Sequence, residues 1–195
     1  FQKRVWDANI CTSPNCKIKF NGVALPKQNF EAYAKMHEGI DNVCSMTSDR
    51  WSVCIGPSED GMQQVSFVNG ICTFKGGKHV DYIMGQITRK LCDYIEKRKK
   101  IKVSPTAIKE QIMLFLRCDV VNPSFDSQTK DYMNTPIAKF GSSCIVSDGF
   151  IDRVAKMGVM DVACSLTEAK DNKMAKKSDG SKTRNVRGIA NFIDA

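Results

Sequence analysis

The feature of this sequence that most constrains its fold is an apolar period between residues 79 and 99. Apolar side chains recur there every three or four positions, and charged residues lie elsewhere around the helix, at Asp81, Arg89, Lys90 and Asp93. The apolar positions are Val80, Ile83, Met84, Ile87, Leu91 and Ile95. This spacing predicts a long amphipathic helix, whose apolar face must cover another layer of structure.

Strand patterns on both sides of this helix supply the second layer. Residues 51–55 alternate between apolar and polar side chains, and residues 65–74 are long enough to pair with them as a hairpin. Residues 112–116 are continuously apolar, which is typical of a buried central strand. Residues 144–146 predict a short last strand.

The first fifty residues have shorter elements. Residues 1–8 indicate the end of a helix, and residues 17–25 a hairpin around Asn21-Gly22. A short amphipathic helix is predicted at residues 29–37. The weak pattern of residues 37–50 predicts a loop.

A second long helix is predicted from residue 150 to about residue 171, and Ser104-Pro105 is a typical start of a shorter one. From residue 172 the chain is polar and lysine-rich, as in a linker. Together these patterns predict an α+β fold, with a small mixed β-sheet of about four strands and two long helices on one face.

The net charge of +8 is concentrated in two segments. Residues 96–102 hold five basic side chains against one acidic, and residues 170–187 hold seven against two. Such patches predict a polyanionic partner such as DNA. Lysine-rich runs are also common as plain solvated surface, and this alternative stays open.

Nine cysteines in a chain of this length favour free thiols in a reducing, intracellular compartment. Cys11 and Cys16 are spaced like half of a zinc site, but no second pair follows, and both histidines are distant in sequence. Structural zinc needs four ligands, so we predict no metal site. No run of about 18 apolar residues occurs, so we predict no membrane span.

Candidate chemistry lies in residues 125–130, Phe-Asp-Ser-Gln-Thr-Lys, called here the Gln-Thr-Lys loop. The Lys130 ammonium suits phosphate oxygens, and the Gln128 amide can donate to the same group. The loop follows the predicted central strand, so a rigid scaffold would hold it. Taken alone, such a loop is also typical of a plain solvated connection. The sequence shows no complete set of catalytic residues.

Gly76 and Gly77 precede the long helix. A glycine before a helix start can allow anion binding, but the fuller glycine-rich phosphate motifs are absent. We therefore predict that the two glycines serve an unusual backbone turn and close packing. His79 and Asp81 point in different directions on a helix, which favours a capping role over an acid–base pair.

Seven stretches carry a family resemblance, and they occur in the family's order along the chain. They are residues 3–7, 20–22, 64–73, 75–82, 122–130, 140–144 and 182–189. Together they resemble eukaryotic-type DNA topoisomerase II. The first two resemble the close of its GHKL ATPase domain, and the last resembles the approach to its TOPRIM region. The ordered run is more specific than any single motif.

The resemblance implies the transducer region of an ATP-dependent DNA topoisomerase II, with the ribosomal-protein-like fold of the second domain of GHKL enzymes. It implies that Gln128 and Lys130 contact the γ-phosphate of ATP, and that ATP binding and hydrolysis close a gate for DNA strand passage. The resemblance also matches four residues to a lysine-rich loop that the family presents to double-stranded DNA. We call these residues the basic run: Lys97, Arg98, Lys99 and Lys100.

The resemblance also implies a domain organisation. Residues 1–45 would end the GHKL domain, residues 46–171 would form the transducer, and residues 172–195 would be a basic linker toward TOPRIM. ATP and Mg²⁺ would be bound mainly by the GHKL domain, and further Mg²⁺ by TOPRIM, in a homodimeric enzyme. The catalytic residues of both are absent, and the first residue is Phe1, so we expect an inactive piece of a longer chain.

Two matters stay open in the sequence. The cysteine-rich start favours a distant branch, such as a large DNA virus acting in the host cytoplasm, over a nuclear cellular enzyme. The main functional alternative is a stand-alone α+β nucleic-acid-binding module, which explains the basic segments but not the Gln-Thr-Lys loop. A zinc-stabilised interaction module is the third hypothesis.

Overall fold

The computed structural model describes residues 2–179, with side chains described up to residue 169. Its helices are α1 (Gln2–Cys11), α2 (Phe30–Ala34), α3 (Lys78–Lys99), α4 (Pro105–Lys109), α5 (Asp148–Val154) and α6 (Met160–Asp179), with a π-helical turn at Ala155–Val159 and a 3-10 turn at Ile137–Lys139. Its strands are β1 (Lys19–Phe20), β2 (Val23–Ala24), β3 (Cys44–Ser48), β4 (Trp51–Pro57), β5 (Gln63–Val68), β6 (Ile71–Cys72), β7 (Gly76–Gly77), β8 (Ile112–Cys118) and β9 (Tyr132–Met133). The predicted long amphipathic helix is confirmed as α3. Within residues 2–179, no helix is both long and apolar enough to cross a membrane.

Five strands form the central sheet, in the order β3, β4, β8, β5, β6. β8 lies in the middle, antiparallel to β4 and parallel to β5. The prediction of a buried central strand at residues 112–116 is therefore confirmed. Helices cover both faces of β8, which explains why its sequence is apolar without interruption.

The predicted hairpin between residues 51–55 and 65–74 is wrong. β8 lies between β4 and β5, and residues 65–74 are two strands joined by a turn. Asn69 and Gly70 make this turn with φ values of 50° and 78°, so that β6 returns antiparallel to β5. The partner of β5 lies far along the chain, and no local pattern identifies it.

The loop predicted at residues 37–50 is also wrong in its last part. β3 pairs along its whole length with β4, as an edge strand of the sheet. Of its residues only Cys44 is buried, because an edge strand is partly solvated. This explains the weak apolar pattern, and it gives the sheet five strands where about four are predicted.

Two separate cores lie on the two faces of the sheet. On one face α3, α5 and the start of α6 cover side chains such as Trp51 and Leu114. On the other face α1 and α2 cover side chains such as Cys54 and Phe115. The prediction of two long helices on one face is confirmed, and the N-terminal helices cover the opposite face.

The second long helix is broken instead of continuous. α5 ends at Val154, a π-helical turn follows, and Gly158 adopts a φ of 87° before α6 begins. Positive φ is ordinary for glycine and costly for other residues, so Gly158 locates the kink. α6 continues to Asp179. It passes the end predicted near residue 171 and enters the segment predicted to be a linker.

The strand predicted at residues 144–146 is wrong as well. The Gln86 side-chain amide donates to the Cys144 carbonyl at 2.9 Å, and its oxygen accepts from the Val146 amide at 3.1 Å. One side chain of α3 therefore takes the place of a neighbouring strand. Residues 144–146 therefore lie along α3 and are not paired with a strand.

The predicted hairpin at residues 17–25 and the predicted cap at Ser104 are confirmed. Asn21 and Gly22 both have positive φ in the turn between β1 and β2. Asn29 caps α2, and Ser104 caps α4 by accepting from a backbone amide of the first turn.

Two cations fix the end of α1 to the rest of the molecule. Arg117 of β8 donates to the Ile10 carbonyl at 3.0 Å, and the Lys27 ammonium donates to the Asn9 carbonyl at 2.6 Å. Cations are favourable at a helix C-terminus, where carbonyl groups lack partners. The boundary predicted at residue 45 falls inside β3, and the domain boundaries stay predictions.

Candidate functional site

The Gln-Thr-Lys loop is closed at its base by backbone hydrogen bonds. The Asp126 amide donates to the Tyr132 carbonyl at 3.1 Å, and the Asn134 amide donates to the Ser124 carbonyl at 3.0 Å. A bridge between Phe125 and Met133 joins the same two segments. The loop is therefore a short hairpin-like projection with a fixed base, although its sequence has no strand pattern.

The tip of the loop is folded upon itself. The Lys130 amide donates to the Ser127 carbonyl at 3.1 Å, and Lys130 has a φ of 59°. The Thr129 hydroxyl lies 2.8 Å from the Ser127 hydroxyl and donates to the Asp131 carboxylate at 2.9 Å. These bonds hold the tip while the side chains of Gln128 and Lys130 stay exposed.

The Lys130 ammonium is available for an anion. It lies 5.8 Å from the centroid of the Phe125 ring. In the part of the chain that the structure describes, no carboxylate lies within 4.0 Å of it. An exposed ammonium and an exposed amide on one tip fit a terminal phosphate. Gln128 and Lys130 are both exposed on the tip of the loop, and their contact with a phosphate stays a prediction.

The base of the loop is attached to the start of α3. β9 pairs in parallel with β7, with Gly76 opposite Tyr132 and Gly77 opposite Met133. The Lys75 amide donates to the Asp131 carbonyl at 2.9 Å. A displacement of the loop would therefore act on the residues that begin α3.

The two glycines make this attachment possible. Gly77 has a φ of 144°, and a Cβ atom at this position would lie 2.3 Å from the Met133 carbonyl oxygen. No other residue type allows the two backbones to approach so closely. The prediction that these glycines serve a backbone turn and close packing is confirmed.

His79 does not have the capping role that the sequence predicts. It is fully buried, and Gly77 at the helix start has no side-chain cap, so the capping role is wrong. Its Nε2 lies 3.2 Å from the Thr73 hydroxyl. Burial lowers the pKa of His79 to about 4, so the ring is neutral. Asp81 is exposed on the helix.

Sequence reasoning missed the residues around His79. Ser66 and Thr73 are both fully buried, and their hydroxyl oxygens lie 2.6 Å apart. Serine and threonine are mostly exposed in proteins, so these residue types give no sign that Ser66 and Thr73 are buried. The only available signal is the histidine that follows Gly76-Gly77 after one intervening lysine.

The basic run does not form one surface. It ends α3, where Lys100 adopts a left-handed φ of 60° as the C-cap. The Lys99 ammonium binds the Asp161 carboxylate of α6 at 2.6 Å, which raises the pKa of Lys99. The Arg98 guanidinium lies 4.5 Å from the centroid of the Tyr94 ring. These two cations are engaged with the protein itself.

Lys97 and Lys100 are the members of the run that share a cleft. Together with Asp93 and Glu96 they line a shallow depression beside the end of α3. Both lysines are exposed. Of the four predicted contacts to DNA, these two are the ones whose ammonium groups face solvent without an ion pair in the described residues.

Thiols and carboxylates do not assemble a metal site in the described residues, where no group of three or more suitable side chains occurs. All nine cysteines are free. Burial raises the pKa of Cys11 and of Cys54 to about 12, so neither is a reactive thiolate. The Gln-Thr-Lys loop offers phosphate contacts only, and a bound nucleotide would need further groups.

Comparison with known proteins identifies the family. Residues 25–182 match the family model described as DNA gyrase B. The chain is 37% identical over 195 residues to DNA topoisomerase 2 of Arabidopsis thaliana, with 94% of this chain and 13% of that protein covered. It is 35% identical over 191 residues to DNA topoisomerase 2-beta of Mus musculus, with 92% and 12% covered. The chain thus spans about an eighth of the length of these relatives.

Solved structures agree with this assignment. The ATPase region of Saccharomyces cerevisiae topoisomerase II matches with a TM-score of 0.79 and 30% identity, covering 86% of this chain and 43% of that one. The ATPase and transducer domains of DNA topoisomerase II from Balamuthia mandrillaris match with a TM-score of 0.80 and 32% identity, covering 88% and 44%. The chain therefore belongs to the DNA gyrase B family, and it corresponds to part of the ATPase region of a eukaryotic-type DNA topoisomerase II.

Proposed function

We propose that this chain is the transducer region of an ATP-dependent type II DNA topoisomerase, and that its Gln-Thr-Lys loop senses the γ-phosphate of ATP. One observation carries the proposal: an exposed lysine stands on a loop whose base is bonded to the start of α3. Hydrolysis and DNA cleavage would be carried out by other parts of the enzyme, which would also bind Mg²⁺.

The sensing step follows from the chemistry of the contact. A lysine ammonium and a glutamine amide can both donate to the terminal phosphate of ATP. ADP lacks this phosphate, so the contacts of Lys130 and Gln128 exist in only one nucleotide state. A ligand that interacts differently with two arrangements shifts the population between them. The loop is thereby a nucleotide-dependent switch.

Transmission would run through α3. Its 22 residues make a helix roughly 33 Å long that starts at the loop attachment and ends at the basic run. Lys90 of α3 binds Asp148 of α5 at 2.5 Å, and Lys99 binds Asp161 of α6 at 2.6 Å. Movement at the loop therefore has a direct mechanical path to α6, which would lead toward the DNA-cleaving part of a homodimer. Gate closure and strand passage are the proposed outcome.

Double-stranded DNA is the proposed partner of the basic run, and contact would be with phosphates. Lys97 and Lys100 are the best placed, because Lys99 is paired with Asp161. Phosphate contacts carry no sequence information and weaken with salt. We further propose a compartment that keeps thiols reduced, since all nine cysteines are free.

The sensor role is tested by Lys130→Ala in the complete enzyme. We expect the ATPase kcat to fall on the order of a hundredfold, because a preorganised charged contact to the reacting phosphate is lost. The melting temperature should be almost unchanged, since Lys130 is exposed and has no ion pair in the described residues.

Lys139→Ala is the matched control. Lys139 is an exposed lysine on the 3-10 turn that follows the loop, and it lies outside the Gln-Thr-Lys loop itself. Its replacement should leave kcat at the wild-type value. Equal rates for the Lys130→Ala, Lys139→Ala and wild-type enzymes would refute the sensor role.

A further inference from the structure

Three fully buried polar side chains lie between the sheet and the start of α3. They are Ser66 of β5, Thr73 after β6, and His79 in the first turn of α3, called here the polar cluster. The hydroxyls of Ser66 and Thr73 are 2.6 Å apart, and the Thr73 hydroxyl is 3.2 Å from His79 Nε2. Thr73 therefore joins the strand to the helix.

The backbone around Thr73 reinforces the same junction. The Thr73 amide donates to the Ser66 carbonyl at 2.8 Å, and the Ser66 hydroxyl donates to the Thr73 carbonyl at 3.2 Å. The Gln64 side chain donates to the Phe74 carbonyl at 2.8 Å. The Gly76 amide donates to the Thr73 carbonyl at 3.0 Å. These bonds fix one end of the turn formed by residues 73–77.

The other end of this turn carries the Gln-Thr-Lys loop. β7 pairs with β9, and the Lys75 amide binds the Asp131 carbonyl next to Lys130. One end of the turn is thus bonded to the polar cluster, and its other end is bonded to the Gln-Thr-Lys loop. The orientation of the turn therefore sets the backbone position of Lys130.

We propose that Ser66, Thr73 and His79 are positioning residues for Lys130, because they fix the turn from which the Gln-Thr-Lys loop projects. The proposal rests on the proposed function of Lys130 and adds to it the residues that set its location. Buried polar groups are costly unless paired, so an arrangement in which each of the three side chains has a hydrogen-bond partner is more stable than one that separates them. Hydrogen bonds hold the polar cluster in one specific geometry, whereas apolar contacts alone would let the turn shift along the sheet.

The hydrogen-bond partners within the polar cluster determine which ring nitrogen of His79 carries the proton. His79 Nδ1 is buried and has no hydrogen-bond partner in the described residues. A neutral ring that donates from Nε2 to the Thr73 hydroxyl leaves Nδ1 as a bare lone pair, which is less costly to bury than an unpaired N–H. The Thr73 hydroxyl then donates to the Ser66 hydroxyl, 2.6 Å away, and the Ser66 hydroxyl donates to the Thr73 carbonyl. Thr73 is the central member, since it is bonded to both others.

The test is a set of variants in the complete enzyme, compared by ATPase kcat and KM. Thr73→Val removes the central hydroxyl and keeps the branched shape, whereas Thr73→Ser keeps the hydroxyl. We expect Thr73→Val to lower kcat on the order of tenfold, since a small misplacement of a reacting group is costly. Thr73→Ser should restore kcat to near wild type, and KM should change little in both.

A double variant separates positioning from general stability. If Thr73 acts through Lys130, adding Thr73→Val to Lys130→Ala should lower kcat no further. A further tenfold loss in the double variant would overturn the positioning role, as would an unchanged kcat in Thr73→Val. If Lys130→Ala alone has wild-type kcat, the sensor role fails, and the positioning role fails with it.

Amide hydrogen exchange supplies a readout apart from activity and does not require the sensor role. In Thr73→Val the amides of Asp126, Lys130 and Asn134 should exchange faster, while amides in β4 should not. Ser66→Ala removes another member of the polar cluster and should give the same pattern if Thr73→Val folds poorly. Unchanged exchange at these three amides in a folded variant would contradict the link between cluster and loop.

Discussion

At Gly77 the backbone approaches β9 more closely than any side chain would allow. Its φ of 144° lies in a region that only glycine occupies readily, and a Cβ atom would collide with Met133. This residue shows how the attachment of the Gln-Thr-Lys loop depends on a single missing atom. The sequence indicates the importance of the glycine pair, but the partner strand becomes visible only in the fold.

We predict that Gly77→Ala lowers the free energy of unfolding by about 3 kcal/mol or more, because it adds backbone strain and a collision with main-chain atoms. Gly85→Ala is the control within the same helix. Gly85 lies in α3 with no atom within 4 Å of an added Cβ, so alanine should stabilise by about 0.5–1 kcal/mol. Denaturant unfolding of the 195-residue chain measures both. Equal effects would refute the account of this junction.

His79 gives the fold a pH dependence with a defined direction. Burial lowers its pKa from the ordinary 6.5 to about 4. Below pH 6.5 the unfolded chain gains this proton while the folded chain does not, so stability falls as the pH drops toward 4. The loss attributable to His79 amounts to at most about 3 kcal/mol. Above pH 6.5 this contribution is constant.

Comparison with His79→Gln isolates this contribution. The other histidine, His37, also has a pKa lowered by burial, and it titrates in both proteins. We predict that unfolding free energies between pH 7.5 and pH 4.5 decline more steeply in the wild type than in the variant. Parallel declines would show that the His79 ring is accessible to protons in the folded chain.

At the scale of elements, local pattern identifies what is locally determined. α3 and β8 follow from period and burial, since one covers the sheet and the other lies in its middle. β3 is missed because an edge strand is half solvated and needs no apolar pattern. The parallel pairing of β5 with β8 is missed because it joins segments separated by α3 and α4.

The end of α3 has a prediction of its own. In the 195-residue chain, Lys97→Ala with Lys100→Ala should reduce the slope of log K against log salt for DNA binding by about 1.8, the value expected for two phosphate contacts. Lys99→Ala should change the slope less, because Asp161 already neutralises Lys99. An unchanged slope in the double variant would assign the basic run to plain solvated surface.

At the scale of the whole molecule, the α+β architecture and the covered sheet are predictable, while the route from loop to helix is not. The Gln-Thr-Lys loop has no period, and its residues alone do not distinguish a sensor from a surface connection. The family resemblance suggests the role proposed for this loop, and the structure shows its attachment through β7 and β9. Strands of only two residues are too short to show a periodic pattern, so the sequence does not indicate that β7 and β9 pair.

In the proposed function, Lys130 contacts a phosphate that ATP has and ADP lacks. Labelling of lysines by an amine-reactive reagent, with mass spectrometry, tests this most directly in the complete enzyme. Lys130 and Lys139 are both exposed here, so both should be labelled without nucleotide. A non-hydrolysable ATP analogue should protect Lys130 strongly and leave Lys139 unchanged, and ADP should protect neither. Equal labelling of Lys130 with the analogue and with ADP would contradict the account.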